Sequence, residues 1–270
     1  MRAATDPEAP HPLLISGAAT SSATDRVWPG SQSADGLDLE VIVPAYNEEF
    51  RIGPTLLALA GHLSAMPISG AIRVIDNGSS DRTAEVVDPL STANVPITVS
   101  GCSRRGKGAA VRRGVLTSRA RWVGFCDADL ATAPTAIDDV VSLLADGWQV
   151  VIGSRRHSSS RVTMRQPLVR RFGGTAFRMV SRRYVGDLTD TQCGFKFFEG
   201  MAARRLFSTV TLTGFAFDLE VLAKARRMGL SIIELGVEWN DRSGSTFAPL
   251  RDSVEVAREL WLLHRSMTER

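Results

Sequence analysis

The stretch Trp122-Val123-Gly124-Phe125-Cys126-Asp127-Ala128-Asp129 constrains this chain more than any other. Five mostly apolar residues have the length and character of a buried strand. They run straight into two carboxylates separated by one residue. In an open α/β sheet, ligands bind beyond the carboxyl ends of the strands, so Asp127 and Asp129 stand where a ligand would sit. On an extended backbone, residues two apart point to the same side. Two such carboxylates can share a hard divalent cation, and a phosphate can bridge to it. An acidic turn after a strand fits the same residues, and so short a motif does not by itself separate the two readings.

The rest of the chain narrows the choice. Its 270 residues, 44% of them hydrophobic, suffice for one large α/β domain or two small ones. Three scattered cysteines without CxxC spacing argue against a disulfide framework or a zinc site and suit a reducing cytoplasm. No continuously apolar window is long enough to span a bilayer, and the N-terminus lacks a basic-then-apolar leader. The net charge is only +3, but nine arginines and no acid lie between Gly147 and Gly186. The remainder of the chain is therefore net acidic.

In chain order, residues 1–36 are rich in small and polar types without period and read as a disordered tail. A β-branched run from Leu39 to Pro44 reads as a parallel strand, followed by a helix with Leu56, Leu59, Ala60 and Leu63 inward. Ala71–Asp76 is a second strand and Pro96–Val99 a third. Arg104 to Gly108 leads into a helix that turns Ala110, Val111, Gly114 and Val115 to one side. After the strand ending at Asp127 come a helix opened by Pro134 and a strand from Trp148 to Ile152. This alternation predicts a mostly parallel sheet with helices on both faces. Further on stand the arginine-rich stretch, the segment from Asp190 to Lys196, and a helix led by Phe217-Asp218-Leu219-Glu220. A strand from Ile232 to Trp239, a polar loop at 241–245 and a last helix follow, the helix carrying Val254, Ala257, Trp261 and His264 on one side.

Three strand ends offer polar groups to one crevice. Pro44, Tyr46 and Glu48 can form a lip for a base, although taken alone they are better read as an ordinary loop with Glu48 in the first turn of a helix. Asp76 and Asn77 can meet a ribose or base, or form an Asx turn with Gly78 at positive φ. Gly106 and Lys107 open a helix in a cationic, glycine-rich context that suits an anion, but not with Walker spacing. A nucleotide site explains all three at once. No G-x-S-x-G elbow and no histidine motif for nucleophilic catalysis is present, and no G-x-G-x-x-G follows the first strand.

Taken together these residues resemble glycosyltransferase family 2, with its GT-A fold, and within it the dolichyl-phosphate glucosyltransferase type, with dolichyl-phosphate mannose synthases as near relatives. The resemblance runs from about Leu39 to about His264. It is carried by Val-Pro-Ala-Tyr-Asn-Glu at 43–48, Asp-Asn-Gly-Ser-Ser-Asp at 76–81, Gly-Lys-Gly-Ala-Ala-Val at 106–111 and Asp-Ala-Asp at 127–129. Gly-Ser-Arg at 153–155, Asp-Thr-Gln-Cys-Gly-Phe-Lys at 190–196 and Phe-Asp-Leu-Glu at 217–220 extend it, the last two pointing to the lipid-phosphate branch. The family often has a second Asp where this chain has Asn77. The mannose synthases place a metal-holding Gln where this chain has Ala131, which favours the glucosyl branch.

The resemblance implies one glycosyltransferase domain over 37–265, with a nucleotide-sugar half at 37–155 and an acceptor-side half at 156–265, before a short tail at 266–270. It implies an inverting hexosyl transfer from a nucleotide sugar to polyprenyl phosphate. Asp129 would be catalytic, and Asp127 and Asp129 would hold Mg or Mn. Pro44, Tyr46, Glu48, Asp76, Asn77, Gly106, Lys107 and Asp127 would bind the donor, with the Asn77 carbonyl accepting from uracil. Arg155, Arg170 and Gln192 are expected at the acceptor phosphate. The arginines and apolar residues of 161–185 are expected to rest on the cytoplasmic face of the membrane, with a membrane-embedded downstream transferase as a further partner. A GDP-mannose donor and a soluble or polysaccharide acceptor are alternatives. A nucleic-acid module built on the arginines is another, but few aromatics accompany them, so nucleic acid is not an expected partner.

Overall fold

The computed structural model describes residues 36–268 except 93, 159, 163–180, 215 and 241–248. The N-terminal tail, Arg170 with most of the arginine-rich stretch, the polar loop at 241–245 and the last two residues lie outside the described residues.

The first half alternates strand and helix: β1 (Leu39–Ala45), α1 (Ile52–Ala65), β2 (Gly70–Asp76), α2 (Thr83–Val87), β3 (Ile97–Gly101), α3 (Lys107–Thr117), β4 (Trp122–Cys126), α4 (Ala136–Ala145) and β5 (Val150–Ser154). The second half adds β6 (Arg161–Val162), β7 (Phe195–Glu199), α5 (Gly200–Thr209), α6 (Phe217–Arg227), β8 (Ile232–Gly236), β9 (Glu238–Trp239) and α7 (Pro249–Thr268). Seven strands form one sheet in the order β3-β2-β1-β4-β7-β5-β8, with β4 at its centre. Every pairing in it is parallel except those of β7, which runs antiparallel between β4 and β5.

The strands are apolar on both faces because each face is covered. Leu39, Val41 and Val43 of β1 pack with α1 and α4 residues in one core, while Ile42 joins Ala110 and Val111 of α3 and Phe207 of α5 in the other. Gly124, in the middle of β4, lets β7 approach: a Cβ there would overlap the Phe197 ring. Close packing on both sides fixes where β4 ends, and Asp127 follows directly.

Two expectations need correction. The run from Ile232 to Trp239 is not one strand: β8 stays in the main sheet and β9 pairs instead with β6. The last helix buries Glu259 and Leu263 and leaves Trp261 57% exposed. Its inward stripe is thus turned away from Trp261 and His264, because Glu259 finds hydrogen-bond donors inside. β7 and α5 were also not apparent from the sequence.

Candidate active site

The carboxyl ends of β1, β2 and β4 and the head of α3 meet in one crevice. Asp127 Oδ1 lies 2.5 Å from Lys107 Nζ. The Asp127 carboxylate rests directly on Gly194, where a Cβ would overlap it, and the Asp127 N–H donates to Gly194 O at 3.1 Å. Asp129 Oδ1 accepts the Ala131 N–H at 3.1 Å. Thr55 at the start of α1 donates to Ala128 O at 2.6 Å, tying the Asp-Ala-Asp turn to the first helix.

Charge is crowded here. Burial, and then the neighbouring Asp127, raise the Asp129 carboxyl above the ordinary range. Burial also raises Glu48, with Asp129 and Asp81 adding to it, against the pull of Arg51. Lys107 loses hydration, but Asp127 and then Asp218 more than compensate and hold its ammonium charged. Among the described residues no cluster of three or more His, Cys, Asp or Glu could hold a metal. Asp127 and Asp129 could offer hard oxygen atoms to a small divalent cation that took its other ligands from water and substrate phosphates.

The lip is laced from two loops. Asn47 N–H donates to Ser79 Oγ, Ser80 N–H to Asn47 Oδ1, Glu48 N–H to Thr83 Oγ1 and Glu49 N–H to Asp81 Oδ2. The 43–48 and 76–81 segments therefore hold one another, and Asn47, Glu49, Asp81 and Thr83 serve structural roles not assigned from the sequence. Pro44 is half-buried, Tyr46 is exposed, and Glu48 takes both Nε and Nη2 of Arg51, at 2.6 and 2.9 Å. Asp76 Oδ1 accepts the Ser79 N–H, three residues on, at 3.2 Å.

Asn77 departs from its expected part. Its oxygen accepts the Gly106 N–H at 2.7 Å and its amide donates to Arg104 O at 2.8 Å. It is a buried brace between the β2 end and the α3 head, and the oxygen expected to meet uracil already has a donor. Gly106 needs its place for a second reason. Its φ is +112°, and a Cβ would run into the Thr213 backbone.

On the other side, Arg155 is not a free cation awaiting phosphate. Its Nε and Nη2 take both oxygens of Asp190 at 2.7 and 2.8 Å, and its backbone N–H adds a third bond at 3.0 Å. Asp190 is held below the ordinary carboxylate range: burial opposes its charge, but Arg155 outweighs it. Glu234 of β8 secures the same segment through Thr189 and Asp190 N–H groups. Trp239 underlies the Arg155 guanidinium at 5.4 Å. Gln192 follows in this segment, with a buried Nε2 that has no partner among the described residues. The structure thus brings Arg155 and Gln192 into one segment's surroundings; Arg170 lies outside the described residues.

Beneath the crevice, Lys196 Nζ is fully buried and lies 2.6 Å from both Asp218 Oδ1 and Cys193 O. Glu220 accepts the N–H groups of Thr211 and Leu212. The 190–196 and 217–220 segments are therefore joined through their charges.

The sheet, parallel but for β7 and covered on both faces, with two carboxylates just past its central strand, has the architecture of the GT-A glycosyltransferase fold. Residues 40–207 match the model of glycosyl transferase family 2, and the chain belongs to that family. It is 33% identical to dolichyl-phosphate beta-glucosyltransferase of Dictyostelium discoideum over 84% of this chain and 73% of that protein. It is equally 33% identical to the Drosophila melanogaster protein of the same name, over 87% and 77% respectively. A crystal structure of glucosyl-3-phosphoglycerate synthase from Mycobacterium tuberculosis with Mn2+ and UDP-glucose matches with a TM-score of 0.62. That match has 20% identity and covers 86% of this chain and 79% of the other, a similarity of fold.

Proposed function

We propose that the protein transfers glucose from UDP-glucose to a polyprenyl phosphate of the dolichyl type, with inversion at the anomeric carbon. The observation that carries this reading is the crevice in which Asp127, Asp129 and Lys107 converge within a chain related to dolichyl-phosphate glucosyltransferases. A divalent cation held by Asp127 and Asp129 would offset the charge on the departing diphosphate. The structural neighbour with Mn2+ and UDP-glucose supports both the cation and the uridine donor.

The chain's own residues do the rest. Lys107, at the head of α3, adds a fixed positive charge beside Asp127, where the helix N-terminus already favours an anion. Tyr46 and Glu48 border the nucleoside, and Pro44 and Asp76 shape the floor on which it rests. The acceptor phosphate, a monoester with a second pKa near 6, is largely dianionic at neutral pH. It needs no strong base. One of its oxygens forms the bond to the anomeric carbon as the bond to the diphosphate breaks, and the electron pair leaves with UDP. On the acceptor side, Arg155 shares its charge with Asp190, which takes two of the five guanidinium N–H groups, and Gln192 and Arg170 complete that side of the reading.

Among the described residues no helix is long and apolar enough to cross a membrane. On this reading the lipid acceptor is met at the bilayer surface, where the arginine-rich stretch would provide cationic contacts. Location on the cytoplasmic face and a downstream membrane-embedded transferase belong to this reading. A screen of UDP- and GDP-sugars, scored for radiolabel entering the lipid phase, tests it. Label from UDP-glucose alone supports it; label from GDP-mannose alone, or none in lipid with any donor, contradicts it.

A further inference from the structure

The family match ends at residue 207, yet the last helix reaches back to the donor side of the crevice. Glu259 of α7 is only 7% exposed, and its two oxygens accept the N–H groups of Gly214 and Ala216, each at 2.8 Å. Gly214 leaves no room for a Cβ against that carboxylate. A buried carboxylate is costly to desolvate, and an apolar side chain would serve α7 as well for packing. What the carboxylate adds is two charge-assisted bonds to a loop that has no regular ladder of its own.

That loop is the backing of the α3 head. Thr213 O accepts the Gly108 N–H at 2.9 Å. The Thr213 backbone stands where a Cβ on Gly106 would go, and Phe217 stands where one on Gly108 would go. Lys107 lies between these two glycines, with Nζ 5.9 Å from the Phe217 ring and 2.5 Å from Asp127 Oδ1. Each contact in the series from Glu259 to Asp127 is direct, and the series enters the site from a helix beyond the matched domain.

We propose that Glu259 is a positioning residue for donor binding: it fixes the backbone at Thr213–Gly214 and Ala216–Phe217, which in turn sets Lys107 against Asp127. The proposal rests on the reading of Lys107 and Asp127 as the diphosphate site. The test is calorimetric titration of UDP with Mn2+ into the full-length wild type, Glu259→Gln, Lys107→Met and the double variant, with steady-state KM for each substrate. Glu259→Gln keeps one acceptor oxygen but turns an amide N–H toward the other donor. UDP affinity is expected to fall about tenfold, as when a supporting contact of a binding group is lost. The acceptor KM and the circular dichroism spectrum should stay unchanged, and Glu259→Gln should cost little further in the Lys107→Met background.

Unchanged UDP affinity, or a loss fully additive to that of Lys107→Met, would assign Glu259 to stability alone and overturn the proposal. If Glu259→Gln does not fold, Glu259→Asp, which keeps the charge but draws it back from the loop, is read by the same criteria. Wild-type binding of UDP with Mn2+ reports on the donor site separately: its absence would defeat that reading and the proposal with it, whereas its presence with an unaffected variant defeats only the proposal.

Discussion

Lys196 and Asp218 form an ion pair closed off from water, with Nζ 2.6 Å from Oδ1 and side-chain exposures of 0% and 5%. Lys196 is the second residue of β7 and Asp218 lies in the first turn of α6, so one contact joins the antiparallel strand to the helix behind Lys107. Breaking such a pair by removing one partner leaves a buried charge uncompensated, which costs about 3–5 kcal/mol. Lys196→Met should therefore lower the urea midpoint by the equivalent of that loss. The double variant Lys196→Met/Asp218→Leu, with no charge left inside, should recover part of it. Equal midpoints for wild type and Lys196→Met would contradict the assignment.

Gly194 allows the Asp127 carboxylate its position. Gly194→Ala places a methyl group where the carboxylate rests. The carboxylate must shift, and displacing a reacting site by about 1 Å can cost on the order of 100-fold in rate. Transfer should fall by about that factor while thermal unfolding moves by only a few degrees. Activity near that of the wild type would show that Asp127 need not sit where the structure places it.

Asn77 braces two loops through opposite ends of one amide, at 2.7 Å to Gly106 N and 2.8 Å to Arg104 O. Asn77→Ala strands a buried N–H and carbonyl, each a loss of about 1–3 kcal/mol at most. The expected result is lower thermal stability together with a raised KM for the donor and an unchanged KM for the acceptor. A rise in the acceptor KM instead would place the brace on the wrong side of the crevice.

All three cysteines are free and buried. Burial, and then Asp190, push the Cys193 thiol up to about 12, and burial raises Cys126 as well. Since the thiolate is the reactive form, native protein at neutral pH should react with a thiol reagent only as fast as it opens, and all three should react rapidly in denaturant. Fast labelling of Cys193 in the native state would contradict the burial seen here.

The sequence was most informative where chemistry and periodicity coincide. Strands β1, β2 and β4 are short apolar runs that give way to polar residues, and this local pattern locates both the sheet and the edge at which those polar residues gather. β7 was hidden because Phe-Lys-Phe-Phe-Glu carries a lysine whose partner, Asp218, lies 22 residues away. The roles of Glu234 and Glu259 were hidden for the same reason: each serves backbone N–H groups more than 40 residues distant. In α7 the glutamate on the inner side defeated a reading that looked for an apolar stripe, and Trp261 faced outward instead. Asn77 and Arg155 were read from the sequence as groups for the base and the acceptor phosphate, but their hydrogen-bond capacity is partly spent on Gly106, Arg104 and Asp190.

The most direct test of the central claim is the configuration of the product formed from UDP-glucose and polyprenyl phosphate in detergent with Mg or Mn. The account predicts a single glucosyl phosphate polyprenol of β configuration, absent with Asp129→Asn and absent in EDTA. An α-linked product, or glucose transferred only to a water-soluble acceptor, would contradict it.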